Sequence, residues 1–356
     1  MLQKVFDGEI EYLQVLDENG KVDAALFPND LDDNKIIEMY KYMCLARAFD
    51  AKMLSLQRQG RVITYAPLIG EEATQIGAAL AMRKDDYLVP NFRQHGVFIA
   101  RGFPIENFFI AGRGYEDGLK APPGTNSLAV AVPVGSQMPH SVGLAYALKY
   151  KKKDAAVVAF VGDGGTSEGD FYEATNFSGE LKVPLVMIIE NNQWAISVPR
   201  SKQSIAKTLA QKAFAAGIRG LQVDGNDVIA VYKAVSEGIK SLATDGPILI
   251  ECITYRMSIH TTADDPTKYR DQKDVDAWKP KDPILRVKTY LSAKGLWNDE
   301  LEKQMTEEQA KKINDSVAEA EAFKGDPKSM FDNLYSFVPD ILKDEENEAV
   351  DANFWQ

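Results

Sequence analysis

The sequence predicts a doubly wound α/β fold on a mostly parallel sheet, with a long helix before it and a helical extension after it. Two observations carry that prediction. From about Glu71 onward, short apolar runs alternate with helical stretches of about ten to fifteen residues, the rhythm of successive β-α-β units. The runs at 155–161, 185–189 and 248–254 are also continuously apolar, not alternating, as strands covered on both faces are. A chain of 356 residues, 45% of them apolar, has ample material for such a core without disulfides or a structural metal.

Residues 1–30 read as an arm of mixed polarity, with turn signals at Glu18-Asn19-Gly20 and Pro28-Asn29-Asp30. A long helix follows, because Ile36, Met39, Met43, Ala46, Phe49, Met53 and Leu56 recur every three or four positions. Asp30, Asp32 and Asp33 favour its start through the helix dipole, and Gly60 stops it. Strands are expected at 87–89, 128–132, 155–161, 185–189, 221–223 and 248–254. Helices are expected at 71–82, 137–151, 171–181, 205–216 and 228–242. After Asp282-Pro283 the chain becomes helical and polar (284–294 and 299–323) and ends in an acidic tail. The expected division is therefore an arm (1–30), an α/β domain (31–281) and a helical extension (282–356), with no internal repeat.

Composition narrows the function. The net charge is −11 and no basic stripe exists, which argues against a nucleic-acid partner. With three histidines (His95, His140, His260) and two distant cysteines (Cys44, Cys252), Cys/His zinc sites of the usual spacings are excluded, and a reduced, cytoplasmic chain is expected. The first residues carry acids and no apolar core, unlike a signal peptide, and no apolar run is long enough to span a membrane.

The densest chemical signal follows the strand at 155–161: Gly162-Asp163-Gly164-Gly165-Thr166-Ser167-Glu168-Gly169-Asp170. A helix and a strand later comes Glu190-Asn191-Asn192-Gln193-Trp194. The 29 steps from Asp163 to Asn192 are the length of one β-α-β unit, so both lie just past the carboxyl ends of parallel strands. Ligands of such sheets bind there. Mg²⁺ is usually held by one or two protein oxygens together with phosphates and water, and Asp163, the Asn192 amide oxygen and a carbonyl near Trp194 could supply them. The glycines let the backbone approach a diphosphate, and a helix opening near Ser167 offers free N–H groups. A lone Gly-Asp-Gly is ordinarily a turn, and a lone Asn-Asn solvated loop; the joint spacing favours the metal–diphosphate reading. EF-hand, P-loop and dinucleotide-binding patterns are absent.

Gly162-Asp163-Gly164 with Asn191-Asn192 resembles the thiamine-diphosphate fingerprint. The longer text GDGGTSEGDFYEATNF (162–177) resembles alpha subunits of the decarboxylase (first) component of 2-oxo acid dehydrogenase complexes. So do Thr64-Tyr65-Ala66-Pro67, Gly70-Glu71-Glu72-Ala73, Gly135-Ser136-Gln137, TLAQKAFAAGI (208–218), QVDGNDVIAVY (222–232) and His260-Thr261-Thr262-Ala263-Asp264-Asp265-Pro266 with Tyr269-Arg270. The resemblance covers about residues 33–342. It implies a thiamine-diphosphate-binding fold in which Asp163, Asn192 and the Trp194 carbonyl hold Mg²⁺. It implies further that Gly164 and Gly165 line the diphosphate, that Arg93, beside Phe92, and Arg256 contact it as cations, and that Val132 and Val134 grip the aminopyrimidine through their backbone. His260 matches the family's catalytic loop histidine and would contact cofactor and substrate, delivering a proton or polarising a keto oxygen. Two departures stand out. The family usually has Tyr at Phe92, and commonly Gly-Pro where this chain has Ser258-Ile259. His95 and His140 read as structural or peripheral, with His95 a candidate for the site only because it neighbours Arg93. Asp170 and Glu173, three apart on one helix face, read equally as a helix-start pair and as acids facing a partner.

The resemblance further implies pyruvate as the 2-oxo acid and transfer of the acyl group to a lipoyl-bearing dihydrolipoyl acyltransferase. Branched-chain 2-oxo acid or acetoin dehydrogenase is the neighbouring alternative. The alternative of a different class is a non-catalytic cofactor-binding or regulatory subunit, which would have no chemical need for Asp163, Asn192, Arg93, Arg256 and His260 together. In this cofactor class a glutamate from a second α/β domain activates the aminopyrimidine, and one sheet of about six strands leaves no room for that domain. A beta subunit in an α₂β₂ assembly would supply it. The interface is expected on the helix at 36–56, apolar on more than one face, and at 137–150, with the small residues Ser141, Gly143, Ala145 and Ala147.

Overall fold

Residues 1–332 and 334–351 are described in the structure, a computed structural model. The expected extension over 282–356 therefore includes residues, 333 and 352–356, that lie outside the described ones. The strands in chain order are β1 (Tyr12–Leu13), β2 (Tyr87–Val89), β3 (Val157–Gly162), β4 (Leu185–Asn191), β5 (Trp194–Ala195), β6 (Val198–Pro199), β7 (Arg219–Asp224) and β8 (Ile248–Ile253). Six of them pair in one sheet, in the order β1-β7-β8-β4-β3-β2 and parallel throughout. β5 and β6 form a separate antiparallel hairpin. The helices are α1 (Asp33–Arg58), α2 (Glu72–Ala81), α3 (His95–Ala100), α4 (Ile105–Gly112), α5 (Gln137–Tyr150), α6 (Gly169–Leu181), α7 (Arg200–Gln203), α8 (Val228–Asp245), α9 (Gln272–Trp278), α10 (Pro283–Ala293), α11 (Asp299–Ala322), α12 (Ser329–Asp332) and α13 (Asp340–Asp351). The expected fold class holds, with its long first helix and helical extension.

Successive strand side chains point to opposite faces, and both faces are covered. Val157, Ala159 and Val161 of β3 and Leu185, Met187 and Ile189 of β4 join a core with Met138, Val142 and Ala145 of α5 and Phe171 of α6. Val158, Phe160, Val186 and Ile188 join the opposite core, which includes Ile76 of α2 and Val228, Val231 and Val235 of α8. This is why the central strands read as unbroken apolar runs. Full burial of one such side chain is worth roughly 1.5–3 kcal/mol, so a polar substitution in β3 or β4 loses more than a surface ion pair could restore.

α1 is capped by the Asp32 side chain, which accepts from Lys35 N at 2.8 Å. Its apolar faces do not form the expected interface: Ile36, Met39, Tyr40, Met43, Phe49, Met53 and Leu56 are buried within this chain, where the helix packs on α2, α3, α10 and α11. The extension thus covers the helix that sequence reasoning left open. On α5, Ser141 and Ala145 are buried, while Gly143 faces outward with Tyr146 and Tyr150.

Three expected elements differ. Residues 128–132 are not a strand; β2 meets that segment only at a single Leu88–Ser127 bridge. Val130 and Val132 line a cavity instead, so their apolar character serves a site and not a sheet. The sixth strand is β1, from the arm. The arm is pinned by Asp227, whose carboxylate accepts from Val15 N and Leu16 N at 2.6 Å while also capping α8 at Ile229 N and Ala230 N. The helix expected at 205–216 is reduced to 3₁₀ turns at Ala210–Ala216, because the Glu251 carboxylate accepts from Leu209 N and Ala210 N and fixes the start there. The helix expected to open near Ser167 opens at Gly169, after a 3₁₀ turn at Gly164–Ser167. Among the described residues, no helix is long and apolar enough to cross a membrane.

Candidate functional site

Four adjacent strands end at one cavity. Arg93 follows β2, Asp163 follows β3, Asn192 follows β4 and Arg256 follows β8. The ladder between β4 and β8 continues past the strands, with Thr254 N donating to Asn191 O at 3.0 Å and Arg256 N to Asn192 O at 3.1 Å. Side chains 64 residues apart in sequence are thereby set side by side. The cavity, about 630 Å³, is lined by Phe92, Arg93, Val132, Val134, Asp163, Gly164, Gly165, Asn192, Trp194 and His260, all named from the sequence. Arg256 reaches the same place through His260 and the Trp194 carbonyl.

The cavity holds a group of oxygens. Asp163 is buried, and its Oδ2 has no hydrogen-bond partner. Burial pushes its carboxyl up to about 7, with Glu71 adding to the rise and Arg256 opposing it. Leaving a buried carboxylate oxygen unpaired costs about 1–3 kcal/mol or more, which a cation would recover. Asn192 Oδ1 accepts from Trp194 N at 3.2 Å. Trp194 lies between Gln193 (φ +72) and Ile196 (φ +53), two non-glycine residues in the left-handed region. Such strain persists only where the surroundings impose it. It turns the chain sharply enough to bring the Trp194 carbonyl back to Arg256 Nη1, 3.4 Å away. Among the described residues no three His, Cys, Asp or Glu side chains converge as a metal cluster. One carboxylate, one amide oxygen and one carbonyl instead match a hard cation that shares its shell with phosphate and water.

The glycines are sterically required. A Cβ on Gly164 would lie 2.8 Å from the Ala195 Cβ, and one on Gly165 would lie 2.5 Å from Val161 Cγ2. The 3₁₀ turn is thus packed directly on β3 and on the β5–β6 hairpin.

Two guanidiniums stand close to these oxygens, Arg256 Nη1 being 3.4 Å from the Trp194 carbonyl. Arg93 Nη2 is 3.1 Å and Arg256 Nη1 3.4 Å from His260 Nδ1. Both guanidiniums can only donate, so Nδ1 accepts and the ring proton sits on Nε2. Burial, then Arg93 and Arg256, pushes His260 down to about 4. The imidazole is therefore a neutral N–H donor at physiological pH, which narrows the sequence reading from proton delivery toward polarising a keto oxygen. Asp264 holds the loop by accepting from His260 N at 2.7 Å, and Thr262 N donates to Tyr65 O at 2.9 Å. Arg270 Nη2 donates to Ser258 O at 3.0 Å, fixing the path of the segment where Gly-Pro is replaced. Phe92 packs edge-on against His260, with ring centroids 6.0 Å apart.

Several further residues stand in the site without a catalytic or binding role assigned from the sequence. Glu71 accepts from Asn192 Nδ2 at 2.7 Å, and Glu190 accepts from Gln94 Nε2. Burial pushes both carboxyls up, and Arg93 opposes the rise at each. Tyr65 and His95 also line the cavity, packed on each other at 5.2 Å. Burial, with Arg93 adding to it, pushes His95 down to about 4, so it stays neutral. The signal for Glu190 was a charged residue ending an apolar strand; for Glu71 it was an acid pair directly before a small, apolar helix. His140 is exposed on α5, outside the cavity, and Asp170 and Glu173 are exposed on α6.

Comparison with known proteins adds a second line. Residues 40–328 match the family described as dehydrogenase E1 component. The chain is 41% identical over 340 residues to the pyruvate dehydrogenase E1 component subunit alpha of Staphylococcus aureus (strain COL), which spans 95% of this chain and 92% of that protein. It is 40% identical, with the same coverage, to the protein of that name from Staphylococcus epidermidis.

Proposed function

The chain belongs to the dehydrogenase E1 component family, and from that premise we propose that it is the alpha subunit of an enzyme that oxidatively decarboxylates pyruvate and passes the acetyl group to a lipoyl-bearing acyltransferase. The observation that carries this reading is the convergence, past four neighbouring parallel strands, of an unpaired buried carboxylate oxygen on Asp163 with the donors of Arg93, Arg256 and His260. Thiamine diphosphate supplies, when bound, a site able to stabilise the carbanion left by loss of carbon dioxide. Asp163, Asn192 and the Trp194 carbonyl would hold Mg²⁺. Gly164 and Gly165 would line the diphosphate with their backbone, and Arg93 and Arg256 would balance its charge. His260 offers its Nε2 proton to the substrate side. Val132 and Val134, 70% and 45% exposed, present backbone and apolar surface at the cavity's open edge.

One sheet supplies the anion and metal half of such a site. The beta subunit completes it in an α₂β₂ assembly, which works in the cytoplasm with its acyltransferase. The domain plan is an arm (1–30), the cofactor half-site (31–281) and an extension (282–356) whose α10 and α11 pack on α1. The test is the product panel formed by the chain co-expressed with its beta subunit. Pyruvate should show the highest kcat/KM. A preference of about tenfold or more, roughly 1.4 kcal/mol in transition-state binding, for branched-chain 2-oxo acids or acetoin would reassign the substrate.

A further inference from the structure

Resting on that reading, we infer that Glu71 is a positioning residue: it fixes which atom of the Asn192 side chain faces the cation and anchors Arg93 in the same frame. An asparagine amide can present either its oxygen or its NH₂ group by a half-turn, and only the oxygen ligates a metal. Here the choice is made by two neighbours. Asn192 Nδ2 donates to Glu71 Oε1 at 2.7 Å, and Asn192 Oδ1 accepts from Trp194 N at 3.2 Å. A carboxylate only accepts, so the reversed amide would set oxygen against oxygen at Glu71 and N–H against N–H at Trp194.

The same Oε1 lies 3.7 Å from Arg93 Nε. One oxygen therefore ties the residue proposed for the metal to a residue proposed for the diphosphate. Those residues come from β4 and β2, strands separated in the sheet by β3. Glu71 is itself rigidly held. It is 1% exposed, its N–H donates to Leu68 O at 2.9 Å and its carbonyl accepts from Gln75 N at 3.1 Å. It follows Gly70, whose φ of +101° and whose approach to Tyr255 O, 2.1 Å from where a Cβ would stand, admit only glycine. The bend at Gly70 delivers Glu71 to the floor of the cavity.

The experiment measures thiamine diphosphate binding to the assembled α₂β₂ enzyme by calorimetry as a function of Mg²⁺. Losing a supporting partner of a metal ligand typically costs about 10–100-fold in metal affinity, and that is the rise expected in half-saturating Mg²⁺ for Glu71→Ala. Glu71→Gln retains an accepting oxygen and should stay within about fivefold of the parent. A second background guards against a folding defect. Asn192→Asp sets two carboxylates face to face and should weaken Mg²⁺ binding, whereas adding Glu71→Gln restores a donor–acceptor pair and should recover it. A sign reversal of the Glu71→Gln effect between the two backgrounds supports the inference. Glu71→Ala within about twofold of the parent, or a Glu71→Gln effect of the same sign in both backgrounds, overturns it. Failure of the parent enzyme to bind the cofactor with Mg²⁺ would overturn instead the reading on which the inference rests.

Discussion

Asp163→Ala is expected to abolish Mg²⁺-dependent thiamine diphosphate binding by the assembled enzyme. The alanine removes the only anionic protein ligand proposed; what remains is an amide oxygen, a carbonyl and the diphosphate itself. Mg²⁺ gives up water reluctantly and tolerates few protein ligands, so each one carries a large share of the affinity. The loss should exceed the ~10–100-fold typical of removing a mere supporting partner. In the parent, Asp163 Oδ2 is buried without any hydrogen-bond partner, so its substitution breaks no bond made by that oxygen within the fold. Assembly and thermal stability should therefore be preserved while calorimetry with Mg²⁺ registers no cofactor binding. Unchanged cofactor affinity would remove Asp163 from the metal site.

His260→Ala is expected to lower turnover with an artificial electron acceptor by about 10²–10³-fold, the usual cost of removing one positioned donor to a developing oxyanion. Cofactor affinity should change far less, because Arg93 and Arg256 keep their own anchors: Arg93 Nη1 on the Pro67 carbonyl, Arg256 Nη2 on the Ile196 carbonyl and the Tyr269 hydroxyl. The pH profile provides an independent check. The ring is held at about 4 by burial and two guanidiniums, so it is neutral from pH 6 to 8 and should contribute no limb there. A limb near the ordinary histidine range that disappears in the alanine variant would show that the imidazole carries the proton as a cation. Turnover within a few-fold of the parent would make His260 structural.

The fold was legible where sequence and burial share one cause. β3 and β4 are unbroken apolar runs because both their faces are covered, and Gly164 and Gly165 stand where a Cβ has no space. The 128–132 segment misled because its valines line a cavity, and cavity walls and strands use the same residues. β1 was invisible because an edge strand of only two residues carries no period. In the site, Asp163 and Asn192 could be read from their spacing along one β-α-β unit. Glu71 and Glu190 could not be assigned roles, since what they do depends on partners 121 and 96 residues away in the chain. The neutral state of His260 was likewise settled only when two arginines from different strands met at one nitrogen. The apolar faces of α1 were misassigned to a partner because α11, which helps to bury them, meets α1 across 262 to 268 residues of chain.

On the proposed function, this chain forms half of a catalytic site. An interface that completes it should bury roughly 2,000 Å² or more, as obligate interfaces commonly do. Val132, Val134 and Ile196 at the cavity edge, with Tyr146 and Tyr150 on α5, provide exposed apolar surface for it. The most direct measurement is decarboxylation of pyruvate by the purified chain, with thiamine diphosphate and Mg²⁺, titrated with its beta subunit. The account predicts no activity from the chain alone and a rise that saturates at equal stoichiometry. A well-behaved monomer that decarboxylates pyruvate unaided would contradict it.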